Sequence, residues 1–198
     1  MAIRNIVVLP YDKKWQQDFL DIKKELAAAL GMSQEQGAYT LEIKQELETS
    51  VTRSEKRPLA LAIEHVGSTS VPGLSAKPII DIDVVVRAGD VQAAIQALAG
   101  IGYNHEGNLG IPGREAFGYS GKDHLQEHHL YLCPEDSPEL KRHLAFRDYL
   151  REHPQAVEEY SCIKLEAASL FPHDIDGYIN HKSPVIEKIY KELGIDKK

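Results

Sequence analysis

An α+β fold is what the sequence predicts, and three features predict it. Short β-branched runs alternate with amphipathic helical stretches through the first two thirds of the chain. One run, Ile79 to Val86, carries the strongest strand pattern of all. From Pro138 onward the pattern is wholly helical. Strands with interspersed helices followed by a helical tail imply a mainly antiparallel or mixed sheet, with the tail packed on it. The length of 198 residues suits one domain with its own hydrophobic core, with a sheet part over about 1–134 and the tail over about 135–198.

Taken in order, Ile3 to Leu9 reads as a strand ended by Pro10. Asp12 can cap the helix that follows. Trp15, Phe19, Ile22, Leu26, Ala29 and Leu30 then recur at three- and four-residue spacing, and Gly31 is placed to stop the helix. Ser33 to Arg57 is polar, a connection with a short helix expected over Leu41 to Arg53. Leu59 to Val66 reads as a strand ending at Gly67, and Ser68 to Pro78 as a loop. After the Ile79 to Val86 strand, Val91, Ala94, Ile95 and Leu98 form a helical stripe stopped by Gly100 and Gly102. Tyr103 to Gly113 is glycine-rich and turn-like. Arg114 to Ser120 and Glu127 to Cys133 are expected as strands joined by a polar turn around Gly121 to Asp123. Helices are expected over Leu140 to Arg151, Val157 to Leu170 and Tyr178 to Leu193, with a break at 171–177.

Composition narrows the function classes. Twenty-three basic against thirty acidic side chains give a net charge of −7, which argues against coating duplex DNA, a task that needs a basic surface. Two cysteines make no disulfide scaffold and fit a reducing cytoplasm. No apolar run approaches the ~20 residues of a membrane span. A cytoplasmic protein is therefore expected, without membrane or duplex nucleic-acid partners; the oligomeric state is not legible.

The chemistry points to Ile79-Ile80-Asp81-Ile82-Asp83-Val84. Alternate strand residues share a face, so Asp81 and Asp83 project together while Ile80, Ile82 and Val84 enter the core. Paired carboxylates in an apolar strand repel each other unless something neutralises them, and Mg²⁺ with phosphate oxygens is a natural partner. The plainer alternative is an edge strand with both acids facing water. Context favours the first. Gly67 allows close approach of a ligand, Ser68 and Thr69 offer hydroxyls and amides to phosphate oxygens, and Lys77 adds charge. Ala76-Lys77-Pro78 excludes a Walker A loop.

Val66-Gly67-Ser68 followed at a distance by Asp81-Ile82-Asp83 is similar to the signature of the nucleotidyltransferase superfamily. Ile63 to Leu74, Lys77 to Ile82, Pro10-Tyr11-Asp12 with Trp15 and Phe19, Ile111-Pro112-Gly113-Arg114, His128-His129 and His143 to Arg151 together resemble the GrpB family of uncharacterised nucleotidyltransferase-like proteins. The resemblance covers nearly the whole chain. It implies a nucleotidyltransferase-like sheet flanked by helices, catalytic and metal-binding roles for Asp81 and Asp83, and tail lysines at Lys164 and Lys182. That family also occurs fused to dephospho-coenzyme A kinase, which points toward nucleotide or coenzyme A chemistry. The chain departs from the family in three respects. Its 33–57 connection is longer, it has His129-Leu130-Tyr131 where His-x-His is usual, and Glu127 is the local candidate for a third metal carboxylate.

Other charged groups carry alternatives. His124, His128 and His129 cluster in sequence, but strand alternation puts His128 opposite His129 and Cys133. That disfavours a zinc site and a zinc hydrolase; a histidine facing the aspartates, to hold substrate or move a proton, is the better reading, with His129 the candidate. Arg114 could grip a phosphate with its bidentate fork, or pair with Glu115 or Glu106. The family resemblance makes Arg147 the best single candidate for a phosphate contact on a helix whose mixed charges otherwise suggest a solvated face. The expected function is Mg²⁺-dependent nucleotidyl transfer from a nucleoside triphosphate to an unknown acceptor. Substrate would be held by Gly67, Ser68, Thr69, Lys77, Arg114, His129, Arg147 and Lys164. The alternative is a non-catalytic module binding a nucleotide, a coenzyme A-like molecule or another phosphorylated small ligand.

Overall fold

The computed structural model describes residues 5–32 and 57–195; the helix expected over Leu41 to Arg53 lies outside them. The first helix, α1 (Lys14–Ala29), starts where the Asp12 carboxylate accepts from the Lys14 amide at 2.8 Å. It ends at Gly31 with φ +73°, a backbone that favours glycine. Five strands follow: β1 (Ala60–Val66), β2 (Ile80–Val86), β3 (Tyr103–Gly107), β4 (Glu115–Tyr119) and β5 (His128–Pro134), with α2 (Val91–Ala99) between β2 and β3. The tail is α3 (Pro138–Glu152), α4 (Pro154–Leu170) and α5 (Ile175–Glu192). None of the described helices is long and apolar enough to cross a membrane.

The strands form one mixed sheet in the order β1-β2-β5-β4-β3, as expected of an α+β chain. Only β2 and β5 run parallel; the other neighbours are antiparallel. Parallel pairing needs a long crossover, and the segment holding α2, β3 and β4 provides it. Strand β2 therefore lies inside the sheet rather than at an edge, which removes the reading of its aspartates as a solvated edge face.

Two expectations fail. Ile3 to Leu9 forms no strand over its described part: Leu9 alone bridges to Ala76, exchanging both backbone hydrogen bonds. In that register Val7 stands opposite Pro78, and Pro10 follows Leu9; neither proline has an N–H to extend the ladder. Tyr103–Gly107, expected as a turn, is the edge strand β3. Its polar residues leave only Tyr103 buried, so the strand is created by pairing with β4 rather than by its own pattern.

Alternation along the strands divides the core. One face of the sheet carries Ile63, Ile80, Ile82, Val84, Leu130 and Leu132, packed under Trp15, Phe19, Ile22 and Leu26 of α1 and Ala94 and Leu98 of α2. On the other face Val85 and Cys133 meet Leu140 of α3. A further cluster joins Val71 and Leu74 of the β1–β2 loop to Tyr160 of α4 and Val185 and Ile189 of α5. This cluster ties the tail to the loop beside the aspartates, and Ser161 Oγ accepts the Ser75 amide at 3.0 Å across the same contact.

His65 shows how the first core handles a polar group. It is 6% exposed, stacks on Phe19 at 4.6 Å and shares a 3.0 Å hydrogen bond with Thr69 Oγ1. Burial lowers its pKa to about 4, so the ring is neutral when folded. The unfolded chain then binds the extra proton between about pH 6.5 and 4, and stability must fall as pH falls through that window. Acidification to pH 4 is expected to cost about 3 kcal/mol through this residue. In urea denaturation, His65→Gln should lose markedly less stability than the parent between pH 7 and pH 4. Equal losses would refute the assignment.

Candidate active-site cleft

The turn between β1 and β2 is built around Gly67. Its φ of +67° and ψ of −169° belong to a backbone region open essentially to glycine alone. A Cβ there would lie 2.2 Å from Asp81 Oδ2, so only glycine lets the turn close against the carboxylate. The next residues, Ser68–Ser70, make a short 3₁₀ turn. Thr69 Oγ1 donates to Ile79 O at 3.2 Å, Ser70 Oγ donates to Gly67 O at 2.6 Å, and Arg151 donates to Ser70 O. The turn is thus fixed to β2 and to α3. Thr69 is 1% exposed with its hydroxyl engaged by His65 and Ile79, which makes it a brace for the turn rather than a surface for ligand.

Sheet register then arranges the face. Val66, Asp81 and His129 stand in one row across β1, β2 and β5; Glu64, Asp83 and Tyr131 stand in the next. Asp81 Oδ1 meets His129 Nδ1 at 2.9 Å, and that hydrogen bond raises the histidine's pKa. Asp83 is fully buried; one oxygen meets His143 Nδ1 of α3 at 2.7 Å and the other has no hydrogen-bond partner among the described residues. Burial pushes the Asp83 carboxyl up. The His143 pKa is raised too, because its hydrogen bond to Asp83 and the surrounding carboxylates outweigh the burial that would lower it.

A small cleft of about 200 Å³ opens beside Asp81, lined by Ser68, Lys77, Ile79, His129, Lys164, Tyr178 and Lys182. Three ammonium groups face one carboxylate there. Lys164 Nζ is buried with no hydrogen-bond partner among the described residues, 4.5 Å over the Tyr160 ring. Burial and the neighbouring Lys182 and Lys77 lower the Lys164 pKa well below the usual lysine value, and burial lowers that of Lys182 as well. Lys77 and Lys182 flank the ring of Tyr178 at 5.8 and 5.4 Å. An unsatisfied buried ammonium is expensive, and an anion entering the cleft would relieve it.

The cleft brings together Ser68, Lys77, Asp81, His129 and Lys164, with Gly67 packed against Asp81 and Asp83 in the adjoining row. Other expected residues sit elsewhere. Arg147 is committed to Glu64 Oε2 at 2.7 Å, His65 O at 3.2 Å and the Asp148 carboxylate, so it braces β1 rather than offering a free fork. Arg114 pairs with neither acid considered for it, since Glu115 bonds His105 instead. Its guanidinium stacks 4.1 Å over Tyr131, with a buried Nε lacking a partner, on the Asp83 side of the face. The histidine cluster is dispersed: His124 bonds Glu25, His128 is buried against Tyr103 and Tyr119, and only His129 reaches the aspartates.

As a metal ligand set, Asp81 and Asp83 supply hard oxygens. Asp83 Oδ1, which has no hydrogen-bond partner among the described residues, and the Asp81 carboxylate are the oxygens that would hold a Mg²⁺ ion completed by phosphate and water. Glu127 does not complete the set: it lines a wider neighbouring groove, and among the described residues no three His, Cys, Asp or Glu side chains converge as a metal site. The carboxylate that register places beside Asp83 is Glu64, engaged by Arg147. Sequence reasoning gave Glu64, His143 and Tyr178 no role in the site, and pointed to Lys182 only as a tail lysine implied by the family resemblance. The signals were present: Glu64 alternates with Val66 on β1, and Lys164 interrupts the buried stripe of Tyr160 and Ala167 on α4.

Residues 5–192 match the family described as GrpB protein. The UPF0157 protein YqkA of Bacillus subtilis is 31% identical over 93% of this chain and 46% of its own length. The UPF0157 protein PA4798 of Pseudomonas aeruginosa is 32% identical over 93% of this chain and 66% of its own length. The chain thus spans about half to two thirds of the length of these relatives. Among solved structures, the conserved protein GrpB from Enterococcus faecalis superposes with a TM-score of 0.69 at 29% identity, covering 95% of this chain and 99% of that one.

Proposed function

The chain belongs to the GrpB family, and from that premise and the geometry of the cleft we propose that it binds a nucleoside triphosphate and transfers a nucleotidyl group to an acceptor. The observation that carries this reading is the buried Nζ of Lys164, without a hydrogen-bond partner among the described residues, beside Lys77, Lys182 and Asp81. Such a nest favours a polyanion of high charge density over a neutral or singly charged ligand. Ser68 and the amides of the glycine turn would hold phosphate oxygens at its rim. Asp81 and Asp83 would hold Mg²⁺, which supplies neutralisation of charge on the transferring phosphoryl group. His129, linked to Asp81, is the group positioned to accept the acceptor's proton.

The test is pyrophosphate release from each nucleoside triphosphate with Mg²⁺. Asp81→Asn and Asp83→Asn are each expected to lower it roughly 10²–10³-fold, the scale of losing one electrostatic stabiliser. Without Mg²⁺ the same variants should bind nucleotide at least as tightly as the parent, because a repelling carboxylate is gone. Undiminished release in both variants removes the catalytic reading.

A second reading has its own observation. Both aspartates are already paired with histidines, and among the described residues no third metal ligand converges on them. A module that binds a nucleotide, a coenzyme A-like molecule or another phosphorylated ligand without turnover fits that arrangement. Part of this chain is 25% identical to 38% of a dephospho-CoA kinase from Mycolicibacterium paratuberculosis. Metal-independent binding without product would decide for the module.

A further inference from the structure

We propose that the base and sugar of the bound nucleotide occupy a second, larger cavity that opens from the lysine-lined cleft. This rests on the phosphate reading of that cleft. The cleft holds about 200 Å³, which suits phosphates but falls short of the roughly 300–1,000 Å³ of complete small-molecule sites. The adjoining cavity holds about 640 Å³ and shares Lys77, Ile79 and His129 with the cleft, so one ligand can span both.

Its walls differ in chemistry from the cleft. Ile6, Val7, Pro78, Ile79 and Ile175 are apolar, while Glu127 and His173 bring polar groups beside them. Apolar walls with a carboxylate and an imidazole at the margin suit a flat ring bearing N–H donors better than an acyl chain, which has no use for either polar group. Two of the wall residues are among the exposed large apolar side chains of the protein, Val7 at 49% and Ile175 at 47%. The wall is held in place on both sides. Ile6 N donates to Pro172 O at 2.9 Å and Leu9 bridges to Ala76, so residues 5–9 run as a strap along the opening. Ile175 begins α5 directly after Asp174, whose carboxylate caps the helix.

Isothermal titration of inorganic tripolyphosphate and of ATP, GTP, CTP and UTP, in one Mg²⁺-containing buffer, tests this. Tripolyphosphate reads the lysine nest alone; the nucleotides read both cavities. At least one nucleotide is expected to bind tenfold or more tightly than tripolyphosphate. The double variant Val7→Asn, Ile175→Asn adds no charge and alters surface positions. With its fold checked by circular dichroism and melting temperature, it should lose most of that advantage and keep the parent's tripolyphosphate affinity. If tripolyphosphate binds but no nucleotide binds tighter, or if the double variant keeps the full advantage, the second cavity is not the base site and the phosphate reading survives. If neither tripolyphosphate nor any nucleotide binds, the phosphate reading fails and this inference with it.

Discussion

Lys164→Met is expected to stabilise the protein and, at the same time, to weaken tripolyphosphate and nucleotide binding. Lys164 is 1% exposed, and among the described residues its Nζ has no hydrogen-bond partner and lies over the face of Tyr160. Burial sets its pKa well below the ordinary 10.5, so the folded state holds that proton less tightly than the unfolded state. For a cation with a depressed pKa the penalty is full below the folded pKa and fades as pH rises toward 10.5. Methionine keeps the length of the stem without the charge, and it can pack its sulfur against Tyr160. A gain of about 1–3 kcal/mol near neutral pH is expected, the scale of one uncompensated buried polar group. For a chain of this size each kcal/mol moves the melting temperature by roughly 2–4 °C. Urea denaturation at pH 7 and pH 9.5 should show the gain shrinking at the higher pH, and titration calorimetry should show the affinity falling at least tenfold. A variant that is no more stable and binds as well as the parent would mean that Lys164 is simply a tolerated core residue. Stability sacrificed at a ligand-binding position is a common mark of function, since the compensating charge arrives with the ligand.

Gly67→Ala should have the largest structural effect of any single methyl group added to the site. The new carbon would meet Asp81 at 2.2 Å from Oδ2 and 2.8 Å from Cβ and Cγ. Neither neighbour can yield freely, because Asp81 lies in an interior strand and the turn is tied down through Ser70, Thr69 and Arg151. The backbone at φ +67° and ψ −169° adds its own strain for any L side chain. The two effects together are expected to destabilise by about 3–5 kcal/mol. Any folded fraction should carry a displaced Asp81, so its nucleotide binding should be metal-insensitive. Chemical denaturation with calorimetry on the same samples reads both. A stable variant with parental metal-dependent binding would show that the close approach of turn and carboxylate has no bearing on the site.

How much of the site was legible depended on the kind of pattern. The alternation Ile80, Asp81, Ile82, Asp83 put both aspartates on one face before any coordinates, because a strand has a period of two. Gly67 and Ser68 were legible for the same local reason: a glycine before hydroxyls at a strand end marks a turn. The tail helices were legible from their length, and their lysines from family resemblance. What failed was whatever needed a partner distant in sequence. Arg147 looked available for phosphate until α3 was seen lying against Glu64 of β1, 83 residues away. Strand β3 had no pattern of its own and exists because β4 lies next to it. Glu127 was a reasonable third carboxylate by proximity in sequence to His129, yet the register between β1 and β2 sets Glu64 beside Asp83 instead.

The sequence by itself determined strands β1, β2, β4 and β5, the helices α1 to α5, the shared direction of the two aspartates, and a glycine-containing turn beside them. All of these follow from local backbone geometry and periods of two or 3.6 residues. Only the tertiary structure decided which charges are satisfied: that Asp83 is sealed in with His143, that Arg147 is already paired, and that Lys164 is buried with nothing to bond. Whether a charge is paired depends on which segments the fold brings within about 3 Å, and hydrogen bonds at that range carry no trace in the spacing of residues along one strand or helix.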